Sequence, residues 1–294
     1  MAVWSAQPAT AWFPEGHRRV AESAVSILPD SMPQFFRRGG RAIGQGAIDP
    51  DVMKPRSMIQ LRDGEYPEHY LDFELLQGRP IPATRYEFLE LVAWLAREPR
   101  SDGRGTKGPA GVGTLPYSLT EGVQRLTVAF AEHRRWPDDP DVQARVLVYA
   151  GLLAHYAGDL CQPLHTTVHH DGRAGADGVS PHTGIHQKVD GLFQRPDFDS
   201  ESAVDGLEPE VFDDLFSAML EEFGRSHRLV DRVYELEPQL PSRENDAPAP
   251  PEVKAFRLDR YRVSVRFLAS LFLTAWEHSA AVELPIWLDL KAGD

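Results

Sequence analysis

The sequence predicts an all-α fold, and three observations predict it. Apolar residues recur at steps of three and four in several windows, no window sustains strand-like alternation bounded by hairpin turns, and the Gly- and Pro-rich breaks are few and long. Val20, Ala24, Ile27 and Leu28 form the first stripe, opening just after Gly16-His17. Helices are expected over residues 85–97, 119–134 and 210–235. Val142, Val146, Tyr149, Leu153, Tyr156 and Leu160 mark a long central helix, which Pro163 should end or bend. Leu258, Tyr261, Val265, Leu268 and Phe272 repeat the pattern near the C-terminus. Residues 98–113, 171–181 and 237–252 read as loops. No break separates differently patterned halves and no internal repeat is found. The expected organisation is a single multi-helix bundle over residues 12–294 with long surface loops, preceded by a leader or tail at residues 1–11.

Composition narrows the chemistry. The 294 residues carry 31 Lys and Arg against 44 Asp and Glu, a formal charge of −13. Such a chain does not coat itself with nucleic acid or anionic lipid through bulk charge, so a phosphate compound would need a local site. Cys161 is the single cysteine, which excludes an internal disulfide framework and a cysteine-built zinc module. Eleven histidines turn any metal chemistry toward nitrogen and oxygen ligands. The longest apolar candidates, residues 146–154 and 267–276, fall short of the ~20 residues that span a bilayer. Ala9-Thr10-Ala11 reads like the end of a secretory signal without the apolar region before it; a secreted or periplasmic location after leader removal is the expectation.

The informative segment lies between His155 and Asp190. His155 and Asp159 sit four apart, hence on one helix face, and Val148 and Leu152 should share it. An apolar stripe thus turns into imidazole plus carboxylate, a costly burial unless the charge is paired or ligates a metal. His165 follows just past Pro163, and His186 and Asp190 repeat the spacing on a second short helix. Spacing alone is weak. His227 and Asp231 share it within a charged run that reads as a solvated face. The cluster is what counts: five nitrogen or oxygen donors within a short stretch suit more than one zinc, each taking about four ligands. The adjacent His170-Asp171 pair suggests a different helical metal hydrolase, but it lies in a Gly-rich loop.

Seven pieces in chain order make the sequence resemble the superfamily of zinc-dependent phospholipases C and single-strand-specific zinc nucleases. They are Trp12-x4-His17, Asp49-Pro50-Asp51, His69-Tyr70-x-Asp72, Gly113-Thr114-Leu115-Pro116-Tyr117, His155-Tyr156-x-Gly158-Asp159, Gln162-Pro163-Leu164-His165 and Gly184-Ile185-His186-x3-Asp190. The resemblance covers Trp12 to Asp190 and implies an all-helical fold with three zinc ions in a cleft. It implies one zinc on Asp51, His69, His155 and Asp159, and a second on His165, His186 and Asp190. A third would use His17, bridging Asp159 and the amino and carbonyl groups of Trp12; two zincs are expected if Trp12 is not a free N-terminus.

The implied reaction is phosphodiester hydrolysis. Paired metals lower the pKa of a shared water for in-line attack on phosphorus, with Asp159 as bridge and Lys54 or Arg56 neutralising charge. Asp72, Tyr70 and Tyr156 are the expected substrate contacts, while Cys161 reads as a buried core thiol. The substrate is a phospholipid or a single-stranded nucleic acid, with Gly184-Ile185-His186 leaning to the phospholipase side. Against that, the long His165–His186 interval and Asp190 in place of Glu resemble the nucleases. A non-catalytic helical protein holding a structural metal is the alternative from another class.

Overall fold

A computed structural model of the chain describes residues 12–97, 108–176, 178–241 and 248–289. The expected leader at 1–11 lies outside the described residues, as do residues 98–107 and 242–247 of two expected loops. The described residues are helical and contain no strand, only an isolated bridge between His170 and Gly172. In order the helices are α1 Pro14–Ser26, α2 Gln34–Arg38, α3 Gly40–Gly46, α4 Asp49–Val52, α5 Ile59–Glu65, α6 Arg85–Leu95 and α7 Pro109–Val112. There follow α8 Leu115–Arg135, α9 Pro140–Cys161, α10 Ile185–Asp190, α11 Leu215–Arg228, α12 Val230–Leu236 and α13 Pro251–His278. Short 3-10 turns at Tyr66–His69 and Pro163–Thr166 matter for the site.

Helix α9 is the axis. It starts where Asp139 accepts hydrogen bonds from the Asp141 and Val142 amides, with Pro140 at the first position. It stops where Gln162, extended ahead of Pro163, cannot continue the turn. Between these ends α1, α3, α8, α11 and α13 pack around it, along with both 3-10 turns. The aromatic heart lies beside it, where the Phe36 ring meets Phe130 at 5.1 Å and Phe272 at 5.2 Å, tying α2, α8 and α13 together.

The expected helix over 210–235 begins instead at α11, where Asp214 caps the Ser217 amide, and breaks at Leu229 into α11 and α12. Part of the expected 98–113 loop coils into α7. Leu258 is exposed because it lies about 60° around α13 from buried Tyr261, at roughly 100° per residue. Val148 is also exposed, contrary to expectation; the cover of that α9 face begins at Gly151, where α3 crosses.

That crossing sets the site. A Cβ on Gly151 would lie 2.8 Å from Gly46 Cα, so the two helices approach through bare backbone. The approach brings the Ala47 carbonyl within 2.8 Å of His155 Nδ1. Gly151→Ala should therefore force α3 off α9, at about 1–3 kcal/mol of overpacking. Thermal melting should show a lower Tm, and zinc titration a weaker site, than for Gly122→Ala on α8, whose nearest neighbour is a Leu153 methyl 3.2 Å away, with backbone no closer than 3.9 Å.

Candidate metal centre

Four helices and two turns deliver the donors. His17 comes from α1, Asp51 from α4, His69 from the turn after α5, His155 and Asp159 from α9, His165 from the turn after α9, and His186 and Asp190 from α10. The structure brings all eight together in three contiguous clusters: His17, His155 and Asp159; Asp51, His69 and His155; His165, His186 and Asp190. Within each, the donor atoms lie within 4.8 Å of one another. Asp159 joins the first two, with Oδ1 3.4 Å from His17 Nε2 and Oδ2 3.0 Å from His69 Nδ1 and 3.4 Å from His155 Nε2.

Backbone carbonyls fix the tautomers. His155 Nδ1 lies 2.8 Å from the Ala47 carbonyl, His165 Nδ1 2.6 Å from that of His69, and His186 Nδ1 3.0 Å from that of His170. A carbonyl only accepts, so each Nδ1 carries the proton and each Nε2 offers a lone pair. His165 Nε2 and His186 Nε2 then face each other at 3.0 Å with no proton between them. Two lone pairs so placed repel, whereas a cation drawing on both converts the repulsion into ligation. Zinc–nitrogen bonds of about 2.0–2.1 Å in tetrahedral array space their nitrogens about 3.3 Å apart, close to what is found.

The remaining polar atoms agree. Both ring nitrogens of His17, Asp51 Oδ2, Asp159 Oδ1 and Asp190 Oδ2 are buried without a hydrogen-bond partner. Burial pushes the imidazoles of His17, His69, His155, His165 and His186 well below the ordinary histidine value, so they stay neutral and able to ligate. Burial drives Asp159 and Asp190 upward, reinforced at Asp159 by the charge of Asp51. A bound cation reverses that preference and ionises both carboxylates. The residues present fit a metal with nitrogen and oxygen ligands.

Around the donors stands a layer that the sequence left unassigned. Gln162 donates through Nε2 to Asp190 Oδ1 at 2.9 Å and accepts the Leu164 amide at 2.5 Å, so one side chain ends α9 and aims a carboxylate. Asp171 accepts the Gly184 and His186 amides at the start of α10. Glu65 accepts the Tyr156 hydroxyl at 2.5 Å and lies 3.4 Å from His69 Nε2. Gly113, at φ +89°, turns the chain so that the Thr114 and Leu115 amides bond the Pro67 and Tyr70 carbonyls, clamping the His69 turn onto α8. Replacing Gln162 with Ala should weaken metal affinity about 10–100-fold, read by competition with a chelating dye, with the helical circular dichroism unchanged.

A pocket of roughly 260 Å³ opens over His69 of the second cluster and His165 and His186 of the third, its wall completed by Lys54, Tyr66, Tyr70, Asp72, Leu164, His170 and His182. Lys54 Nζ sits 2.7 Å from Asp51 Oδ1 and 3.5 Å from His69 Nδ1. Asp72 and Tyr70 face this space as expected substrate contacts would, but Tyr156 does not line it, because its hydroxyl is committed to Glu65 behind His69. Arg56 does not line it either. Trp12 is fully buried, its ring stacked 3.7 Å from Phe193 and its Nε1 donating to the Gly158 carbonyl. Cys161 is buried. His227, read as part of a solvated face, instead tucks against Phe73 and Phe223 and meets the Thr166 carbonyl at 3.0 Å through Nδ1, while Asp231 pairs with Arg173.

No family model matches the chain. A probable serine protease of Bradyrhizobium tropiciagri is 29% identical over 171 residues, 52% of this chain and 19% of that protein, so the chain spans about a fifth of its curated relative. Among solved structures, the alpha-toxin of Clostridium absonum is similar over 93% of this chain and 65% of its own, with a TM-score of 0.44 and 12% identity. An alpha-toxin of Clostridium perfringens from an avian strain is similar over 95% and 67%, with a TM-score of 0.46 and 12% identity.

Proposed function

We propose that the chain is a zinc-dependent phosphoric ester hydrolase that releases the headgroup of a phospholipid. The observation that carries this reading is the run of three donor clusters, with neutral imidazoles and several buried donor atoms left without a hydrogen bond, beside a pocket that also holds an ammonium. One cluster would suit a structural ion; two clusters sharing His155, with Asp159 Oδ2 reaching from the first to His69 of the second, suit the paired-metal clamp of phosphodiester cleavage. Asp51, His69, His155 and Asp159 would hold one zinc, and His165, His186 and Asp190 a second. His17 and Asp159 would hold a third with the backbone of Trp12, where that residue has a free amine. Bound zinc supplies the Lewis acidity that makes water nucleophilic near neutral pH and neutralises phosphoryl charge.

The chain's own groups do the rest. Lys54 places a positive charge at the pocket wall for the phosphoryl oxygens. Asp72 stands close enough to Tyr66 and Tyr70 that, after burial, its charge raises both phenols. A carboxylate beside two aromatic rings suits a cationic headgroup such as choline and repels a polynucleotide. Tyr156 acts through Glu65 to hold the His69 ring.

The test pairs metal content with substrate choice. Zinc per chain is measured by elemental mass spectrometry on the full chain and on a version beginning at Trp12, with about two ions expected in the first and three in the second. Phosphatidylcholine, bis-p-nitrophenyl phosphate and single-stranded DNA are then compared. Release of phosphocholine supports the reading. Cleavage of the DNA alone replaces it with a nuclease, and a zinc-loaded chain inert on all three replaces it with a non-catalytic metal protein.

A further inference from the structure

Helix α5 is anomalous. No residue in it is fully buried, its main packing is on the Tyr66–His69 turn that follows it, and Glu65 at its end reaches Tyr156 of α9. On and beside it stand Val52 at 68% exposure, Met58 at 57%, Ile59 at 56%, Leu61 at 43% and Tyr66 at 40%. Scattered exposed aliphatics need no explanation, but five within fifteen residues, on a segment that anchors no core, do. Tyr66 belongs both to this patch and to the lining of the pocket, as its neighbour Lys54 does to the pocket wall. The patch is thus continuous with the mouth of the candidate metal centre.

Charge separates this segment from the rest of the chain. Residues 51–66 hold Lys54, Arg56 and Arg62 against Asp51, Asp63 and Glu65, three minus three, or zero, in a chain of −13. Asp51 is buried against Lys54, Glu65 is largely covered, and the exposed Asp63 is paired with Arg62, so the exposed apolar residues meet solvent without a surplus of acid. Aliphatic side chains interleaved with arginines at a phosphate-binding mouth are the chemistry of a lipid interface, where apolar groups enter the acyl boundary and guanidinium groups meet phosphates.

We propose that Val52, Met58, Ile59 and Leu61 form a docking face that seats the chain on a phospholipid surface and presents headgroups to the pocket. This rests on the phosphoric ester hydrolase reading for its purpose, yet binding is measurable apart from turnover. The probe is a vesicle of phosphatidylcholine with a minor fraction of phosphatidylglycerol, in a sedimentation assay with the zinc-loaded full chain. The variant carries Met58→Asp, Ile59→Asp and Leu61→Asp; these positions anchor no core and contact no donor cluster, so folding is preserved, and bis-p-nitrophenyl phosphate turnover checks it.

The parent should sediment with vesicles and the variant bind at least tenfold more weakly, with zinc content unchanged and any turnover of the small ester also unchanged. Equal binding by parent and variant overturns the proposal, as does a parent that ignores vesicles but binds a single-stranded oligonucleotide. A parent that self-associates through this face, with the variant monomeric in sedimentation velocity and neither bound to vesicles, overturns it in favour of a second copy. Patch-dependent binding without hydrolysis of any ester keeps the docking face and removes the hydrolase reading.

Discussion

Asp159→Asn is expected to abolish hydrolysis and at the same time to leave the metal-free protein as stable as the parent, or more so. The first half follows from placement. Asp159 Oδ1 faces His17 of its own cluster and Oδ2 faces His69 of the neighbouring one, so the amide removes a negative charge from between two of the three groups. A loss of zinc affinity of at least about 100-fold should result, since even outer-layer changes cost 10–100-fold. The second half follows from burial. Asp159 is fully buried and driven upward in pKa by that burial and by Asp51, so in the absence of a cation the carboxyl is a burden on folding. The measurement is a melting series with and without zinc for parent and variant. A variant that melts far below the chelated parent would make Asp159 a structural residue and sink its assignment as a metal bridge.

Chelation of the parent is the second large effect. A ligand that binds only the folded state at ~1,000 times its Kd adds about 4 kcal/mol, and roughly 2–4 °C accompanies each kcal/mol in chains of this order, so Tm should fall by about 10 °C or more. The pH dependence has a definite sign. The five histidines are pushed down, so protonation is easier in the unfolded chain, and stability tied to them is present above about pH 6.5 and lost as the pH falls below it. Asp159 and Asp190 are pushed up, so in the metal-free chain their contribution runs the other way and is lost as the pH rises above about 4. Zinc needs neutral histidines, which burial already supplies in the folded chain, and ionised carboxylates, so its gain as the pH rises comes from releasing the carboxyl protons of Asp159 and Asp190. The zinc-induced rise in Tm should shrink between about pH 7.5 and about pH 5.5. A rise independent of pH over that range would mean that neither group is released from protons by the metal.

What could be read from the residues alone follows the range of the physics involved. His155 with Asp159 and His186 with Asp190 are legible because helical periodicity is local: an interval of four fixes a shared face before any tertiary contact exists. The all-α architecture is legible for the same reason. Gln162 with Asp190 and Glu65 with Tyr156 are not, since the first pair is 28 residues apart and the second 91, and no interval announces them. Val148 fails for a related cause. Periodicity assigns a side chain to a face, but which turns of that face are covered depends on where α3 crosses α9, which Gly46 and Gly151 decide. His227 shows the converse, a histidine in a charged run that a distant ring and carbonyl draw inward.

The three carbonyls that orient His155, His165 and His186 carry a consequence for inheritance. They belong to Ala47, His69 and His170, and each acts through its main chain alone in holding the neighbouring imidazole. Substitution at Ala47 or His170 leaves that carbonyl in place as long as the local path of the backbone survives. The support of three of the five imidazoles is therefore stored in chain trajectory rather than in residue identity. Lineages can rewrite the letters there without disturbing the imidazoles, and only an exchange of amide for ester in the backbone itself would reveal how much those positions contribute.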